Sequence, residues 1–194
     1  MASVSNVVRH FCLWAVLSAT HGMVHAQAVQ VTSAPRPFSV VPAKGWVPAA
    51  LVTGNTRVAF KAPTGVPHGE CAVTAIEFKG QRLTQAEIDK NLAEPMTAKE
   101  IQEDLARSYN NVKVVSTGRT VLAGFRAQVF KFEYSVGTPL GEMWATAVTT
   151  TAAVAPNVSW AISCGSTGKT ISEARTGFSH WQMDFNAFPT NFKF

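Results

Sequence analysis

Charge is scarce in this chain. Only 15% of its 194 residues are Asp, Glu, Lys or Arg, whereas 46% are hydrophobic. That balance excludes a self-solvating disordered chain and fits one packed domain. The basic residues are not gathered either. Arg57, Lys61, Lys79, Arg82, Lys113, Arg119, Arg126 and Lys131 stand singly along the sequence. A nucleic-acid surface clusters such residues and interleaves aromatics with them. The net charge of +5 therefore reads as ordinary solvation with at most a weak pull toward anionic surfaces, and no nucleic-acid partner is expected.

Histidine and cysteine are just as sparse. His10, His21 and His25 fall in the first 28 residues, which leaves His68 and His180. Zinc takes three or four clustered His, Cys or carboxylate ligands. His68, Glu70 and Cys71 are neighbours, but Cys71 has a better use in a disulfide, so no metal and no cofactor is expected. A redox pair spaced Cys-x-x-Cys is missing. No apolar run is long enough to cross a bilayer: Phe11–Ala19 is about half of the roughly 20 residues required.

That short apolar run is informative for what it is. Met1–His10 carries one positive charge at Arg9, the apolar run follows, and small residues come next. This is the form of a secretory signal peptide, with cleavage expected after Ala26 or Ala28. Cys12 lies inside the apolar run rather than just after a cleavage site, so a lipid anchor is not expected. The reading is residues 1–28 as signal peptide, 29–36 as linker or loosely held arm, and 37–194 as one domain without an integral membrane span. Periplasmic or secreted location follows. Two cysteines then remain, Cys71 and Cys164, and exported thiols pair. Their bond closes a loop of 93 residues. In the chain-entropy account it contributes roughly 4–5 kcal/mol.

Within the domain the patterns are clear. Val158, Trp160, Ile162 and Cys164 share one face of a strand at period two. After a turn at Gly165–Lys169, Ile171, Ala174, Phe178, Trp181, Phe185 and Phe188 recur at three and four, the stripe of a long helix. Earlier strands are read at Phe38–Val41, Thr56–Lys61 and Cys71–Phe78, the last apolar on both faces and so central. Thr84-Gln85-Ala86-Glu87 and Thr97-Ala98-Lys99-Glu100 are capping boxes opening two helices on either side of Pro95. A strand-rich section follows at Val112–Ser116, Phe125–Tyr134 and Met143–Thr151. In the second of these the apolar phase switches at Val129-Phe130, from a bulge or from cover on both faces. Short turns between strands favour antiparallel pairing. The fold class is α+β: an antiparallel sheet of six or seven strands, a helix pair inserted mid-chain, and a long C-terminal helix packed on the sheet.

Candidate chemistry is thin. Ser163-Cys164-Gly165-Ser166-Thr167-Gly168-Lys169-Thr170 imitates a phosphate-binding loop, but Ser163 stands where the first Gly is needed and Cys164 would be tied up in the cradle. The plainer reading is a turn, with Thr170-Ile171-Ser172-Glu173 a third capping box. His180 and Asp184 lie four apart on the final helix and would need a distant serine to make a hydrolase. Asn157-Val158-Ser159 matches a glycosylation sequon. The ending Phe192-Lys193-Phe194 is compatible with an outer-membrane barrel, but the helices break the strand repeat a barrel needs. A tail docked on the domain is the expectation.

The layout resembles the PsbP-like fold, found in extrinsic photosystem subunits and the Ran-binding protein Mog. The matching residues are Phe38-Ser39-Val40-Val41-Pro42 with Gly45-Trp46, then the helix pair, then Gly124-Phe125-Arg126-Ala127 leading into Phe130–Tyr134. Strand Val158–Cys164 and the closing helix complete the match. The resemblance spans about Phe38 to Phe188, carries over no binding residue, and implies a small non-catalytic binding or accessory protein. The leading expectation is therefore an exported non-catalytic module for an unknown protein or small ligand. The alternatives are a hydrolase using His180 and Asp184, and a carrier of a small apolar ligand held near Trp144, Trp160 and Trp181.

Overall fold

A computed structural model describes residues 28–194 except 33, 52, 53, 65, 79 and 81. The leader expected at the N-terminus thus lies outside the described residues, apart from Ala28. The strands are β1 (Val29–Val31), β2 (Phe38–Val40), β3 (Val47–Pro48), β4 (Thr56–Lys61), β5 (Glu70–Glu77), β6 (Asn110–Leu122), β7 (Phe125–Thr138), β8 (Gly141–Val154), β9 (Val158–Gly168) and β10 (Phe192–Lys193). The helices are α1 (Gln85–Asn91), α2 (Ala98–Leu105) and α3 (Ile171–Thr190). Seven strands form one antiparallel sheet in the order β3-β4-β5-β9-β8-β7-β6, and β1, β2 and β10 form a small second sheet. This is the α+β architecture read from the sequence, with the helix pair carrying the chain from β5 to the far edge strand β6.

Register rows across the sheet separate its two faces. One row runs Lys131, Val148, Cys164, Cys71, Phe60 from β7 to β4. Because side chains alternate along a strand, the next face carries Phe130, Thr149, Ser163, Ala72 and Ala59. The first face meets α3. Phe60, Trp160, Ile162, Phe178, Phe185 and Phe188 are buried there in one cluster with Phe38, Val40, Trp46 and Phe192. Phe178 packs on Phe185 with ring centroids 5.2 Å apart, and Phe60 on Phe188 at 5.8 Å. Gly177 lets α3 come this close, since a Cβ there would collide with Ser166 Oγ. A bidentate pair fastens the helix further: Arg175 donates from Nε and Nη2 to the Glu133 carboxylate, both at 2.8 Å. Those hydrogen bonds hold the Glu133 carboxyl below its usual range. Lys131 Nζ lies 4.1 Å over the Phe178 ring.

The disulfide joins Cys71 to Cys164, which stand directly opposite each other on β5 and β9. It staples the first part of the chain to the strand that feeds α3. The helix starts also agree with the sequence. Thr84 and Thr97 both form complete capping boxes with Glu87 and Glu100. At α3 the third box is only half made: Thr170 Oγ1 accepts from Glu173 N, whereas the Glu173 carboxylate takes the Lys169 amide at 2.8 Å.

Three segments differ from the sequence reading. Val29–Val31, within the stretch read as a linker, pairs with β2 because Val40 and Phe38 offer it an edge. The strand read as Val112–Ser116 is part of one 13-residue strand, β6, whose irregularities fall between Asn110 and Lys113 and between Val114 and Ser116. The turn expected at Gly165–Lys169 does not start there, because β9 runs on to Gly168, paired with Trp144. The phase switch in β7 is cover on both faces, since its register with β8 is unbroken from Ala127 to Thr138. The tail docks as expected: Phe192 pairs with Val40 and is buried.

Candidate functional site: a cleft between the helix pair and the sheet

The second face divides into a packed half and an open half. Tyr109 and α2, through Ile101 and Leu105, cover Phe130, Phe132, Tyr134, Ala145 and Ala147 in a separate core cluster. Beyond that cluster the row Arg119, Gln128, Thr151, Ala161 crosses the sheet. These four are a basic, an amide, a hydroxyl and a methyl side chain. Among the described residues that line the space above them, Phe130 supplies the one aromatic ring.

The connection between α1 and α2 bridges this gap rather than filling it. At one side Gln128 holds it: Nε2 donates to Met96 O at 2.7 Å, and Oε1 accepts from Met96 N at 3.1 Å. The same Nε2 reaches Thr117 Oγ1 at 2.9 Å, which fixes the amide's orientation. At the other side Gln85 donates to Ala153 O at 3.3 Å and accepts from Ala155 N at 3.0 Å. Leu83 N adds bonds to Pro156 O and Asn157 Oδ1. Arg119 Nη2 donates to Ala93 O at 2.9 Å, a third strut. A cleft of about 650 Å³ remains between these supports. Leu92, Ala93, Pro95 and Met96 form one wall, and Gln128, Phe130, Thr151, Ala153 and Ser159 line the sheet side. Arg119, Arg126, Glu94 and Glu100 add charge to the lining. Its volume is in the range of ~300–1,000 Å³ that holds small ligands.

Local sequence explains why these residues meet. Ala123 and Gly124 have φ of +49° and +89°, the two positive values of a tight hairpin turn whose twist suits the flanking strands. A two-residue turn there sets Leu122 against Phe125, and hence Val121 against Arg126 and Arg119 against Gln128. Arg126 and Gln128 then alternate onto the cleft face. Sequence reading took Arg119 and Arg126 as scattered surface charges and missed this. The signal that could have found them was the turn itself, which fixes the register.

The residues singled out from the sequence lie elsewhere. Ser163–Gly168 is extended strand, so the imitation of a phosphate loop has no loop to wrap an anion. Asp184 accepts a hydrogen bond from Trp46 Nε1 at 3.2 Å, and His180 sits edge-on to Trp181 at 4.6 Å. Among the described residues no hydrogen bond joins His180 to Asp184. Of the tryptophans Trp144, Trp160 and Trp181, Trp160 is buried among Phe38, Phe192 and Phe194. Trp181 donates to Pro67 O at 2.8 Å, Trp144 lies toward the β7–β8 hairpin, and none of the three lines the cleft. No group of three or more His, Cys, Asp and Glu among the described residues could hold a metal, and no helix among them is long and apolar enough to cross a membrane.

A second polar cluster lies near the β4–β5 loop. His68 Nδ1 is 3.1 Å from Thr167 Oγ1, His68 Nε2 is 3.9 Å from the Glu70 carboxylate, and Ser166 Oγ donates to His68 O. Burial pushes the Glu70 carboxyl up to about 7, with Lys61 pulling in the opposite direction. Burial, reinforced by Lys61, lowers the His68 imidazole from its ordinary value, although 40% of its side chain meets solvent.

The chain matches no protein-family model and no curated protein sequence. Its fold does match solved structures. The solution structure of cyanobacterial PsbP (CyanoP) from Synechocystis sp. PCC 6803 superposes with a TM-score of 0.55 at 10% identity, covering 91% of this chain and 97% of that one. The fold is PsbP-like. LpqN, a protein involved in cell envelope biogenesis of Mycobacterium tuberculosis, shares it with a TM-score of 0.53 at 7% identity over 86% of this chain and 90% of LpqN. The fold resemblance read from Phe38 to Phe188 is thus borne out. At such identities the PsbP-like likeness concerns backbone architecture alone.

Proposed function

We propose that this protein is an exported, non-catalytic binding or accessory module whose ligand site is the cleft between the α1–α2 connection and the sheet. The observation that carries this reading is the way the cleft is held open. Gln128, Gln85 and Arg119 spend their polar groups as struts to Met96, Ala153, Ala155 and Ala93. Glu100 spends its carboxylate in the cap of α2, accepting from Thr97 N at 2.7 Å and Thr97 Oγ1 at 2.8 Å. Groups committed in this way position a ligand but do not exchange protons with it. A preformed site also avoids the ordering cost that weakens binding by mobile segments. Export is supported by the leader pattern of residues 1–28 and by the Cys71–Cys164 bond, which suits an oxidising compartment. The PsbP-like fold is compatible with an accessory role, as a matter of analogy.

Native mass spectrometry of the protein purified from its own host tests the proposal. A small molecule should co-purify with the parent protein and be lost in Ala153→Phe, which fills the cleft without touching α3. A bound species retained by Ala153→Phe would place the site elsewhere. Turnover of a hydrolase substrate panel, abolished by His180→Ala, would replace this reading with the enzymatic one.

A further inference from the structure

We infer that the ligand of the cleft is an organic anion: a carboxylate, sulfonate or phosphate ester on an apolar frame, with Arg126 as its clamp. The inference rests on the cleft being the binding site. Its first support is the state of the charges. Arg126 lines the cleft and has no hydrogen bond or ion pair with any described residue. Arg119, next to it across the hairpin, is fixed by its single bond to Ala93 O. A guanidinium carries five N–H donors, so both arginines have donors that described residues leave unused. Of the two acids in the lining, Glu100 is committed to the α2 cap, and the Thr97 amide and hydroxyl hold its carboxyl below the usual value. Glu94 is exposed and makes no ion pair with either arginine among the described residues.

The second support is the chemistry of the walls. Leu92, Pro95 and Met96 face Phe130 and Ala153 across the cleft, and the hydroxyls of Thr151 and Ser159 lie on the sheet side. Small inorganic anions would leave these apolar walls unused, and a neutral hydrocarbon would make no use of the donors of Arg119 and Arg126, both of which are exposed at the cleft. A molecule with an anionic head and an apolar body matches both halves. Forked N–H donors suit planar or tetrahedral oxyanions, which they can bind through two parallel hydrogen bonds.

Two dyes with the same ring frame separate the parts of this claim. Anilinonaphthalene sulfonate carries an anion, and N-phenylnaphthylamine does not. The folded full-length mature protein should bind the sulfonate at least tenfold more tightly than the neutral dye. Arg126→Gln should weaken the sulfonate about tenfold while changing the neutral dye less than about twofold, as the loss of one charge-assisted bond implies. Arg126→Lys should recover part of the loss. Decanoate should displace the sulfonate, and inorganic phosphate should not. An unchanged melting temperature in Arg126→Gln shows that the fold is intact. Equal binding of both dyes, or a sulfonate affinity indifferent to Arg126, would overturn the anion inference and leave the cleft as a site. Displacement by inorganic phosphate alone would overturn the apolar half. Binding of neither dye, or binding unaffected by Ala153→Phe, would overturn the cleft reading itself.

Discussion

On the α3 face of the sheet, Phe60, Phe178, Phe185 and Phe188 fill the space down to the backbone, and Gly177 is needed for the helix to fit. On the opposite face, the same strands present Gln128, Thr151, Ala153 and Ser159, and the α1–α2 connection spans them on hydrogen bonds. The first face is closed by apolar area throughout; the second is closed by α2 over Phe130, Phe132 and Tyr134 and left open beside it, where polar struts border the cleft. On the proposed reading, one sheet serves stability and recognition separately. Burial of rings is non-directional and collapses any gap. Glutamine struts are directional and hold a fixed separation. The disulfide, the bidentate Arg175–Glu133 pair and the long helix all reinforce the closed face.

The sharpest way to break this comparison is to cut the closed face. Phe185→Ala should destabilise the protein by about 3–5 kcal/mol, the range for a buried aromatic removed from a tight core. Urea unfolding of the variant measures it, and a midpoint equal to the parent's would mean that α3 is not the closing element.

Next in size is a pH effect at the start of β5. Glu70 titrates at about 7 when folded, against 4.5 as its ordinary value. Between these values the folded state keeps a proton that the unfolded chain has released, so stability falls as pH rises through the window. The loss is complete above about pH 7 and amounts to at most about 3 kcal/mol. His68 acts with the opposite sign, since its lowered imidazole costs stability as pH falls below 6.5. The difference between the parent and Glu70→Gln, followed by urea midpoints from pH 5 to pH 8, isolates the carboxyl. It should shift steadily in favour of the variant, and a flat difference would contradict the burial assigned to Glu70.

Overpacking comes third. Gly177→Ala should cost about 1–3 kcal/mol. Combining it with Ser166→Gly should recover part of that loss, because the collision is with the Ser166 side chain. Strictly additive single costs would show that the helix and β9 are not in the contact described. Smallest is the open face: Thr97→Ala should remove about 1 kcal/mol by uncapping α2. Hydrogen exchange in that variant should rise in α2 and leave α3 unchanged, and equal rises in both helices would show that the two faces are not independent.

The sequence was legible where the determinants are local or strongly periodic. The capping boxes at Thr84 and Thr97 need four residues each, the α3 stripe repeats over five turns, and Cys71 and Cys164 are the two cysteines beyond residue 28. It was less legible where a partner distant in sequence decides. Val29–Val31 is a strand because β2 is beside it, and β9 stays extended through Gly168 because β8 continues to pair with it. Gly118 sits within β6 without breaking it, so that strand runs on well past the Ser116 read as its end. The cleft was invisible for the same reason. Arg119, Arg126, Gln128, Thr151 and Ser159 become neighbours only once four strands are in register, and the Gln128–Met96 bonds link residues 32 apart in sequence.

The central claim is that ligand goes to the open face. Amide chemical shifts of the uniformly labelled protein, recorded through a titration with anilinonaphthalene sulfonate, test it most directly. The account predicts saturable shifts at Met96, Arg126, Gln128, Thr151 and Ser159, with the amides of Phe178 and Phe185 unmoved. Shifts centred on α3 or on His68 and Glu70, with the cleft silent, would contradict it.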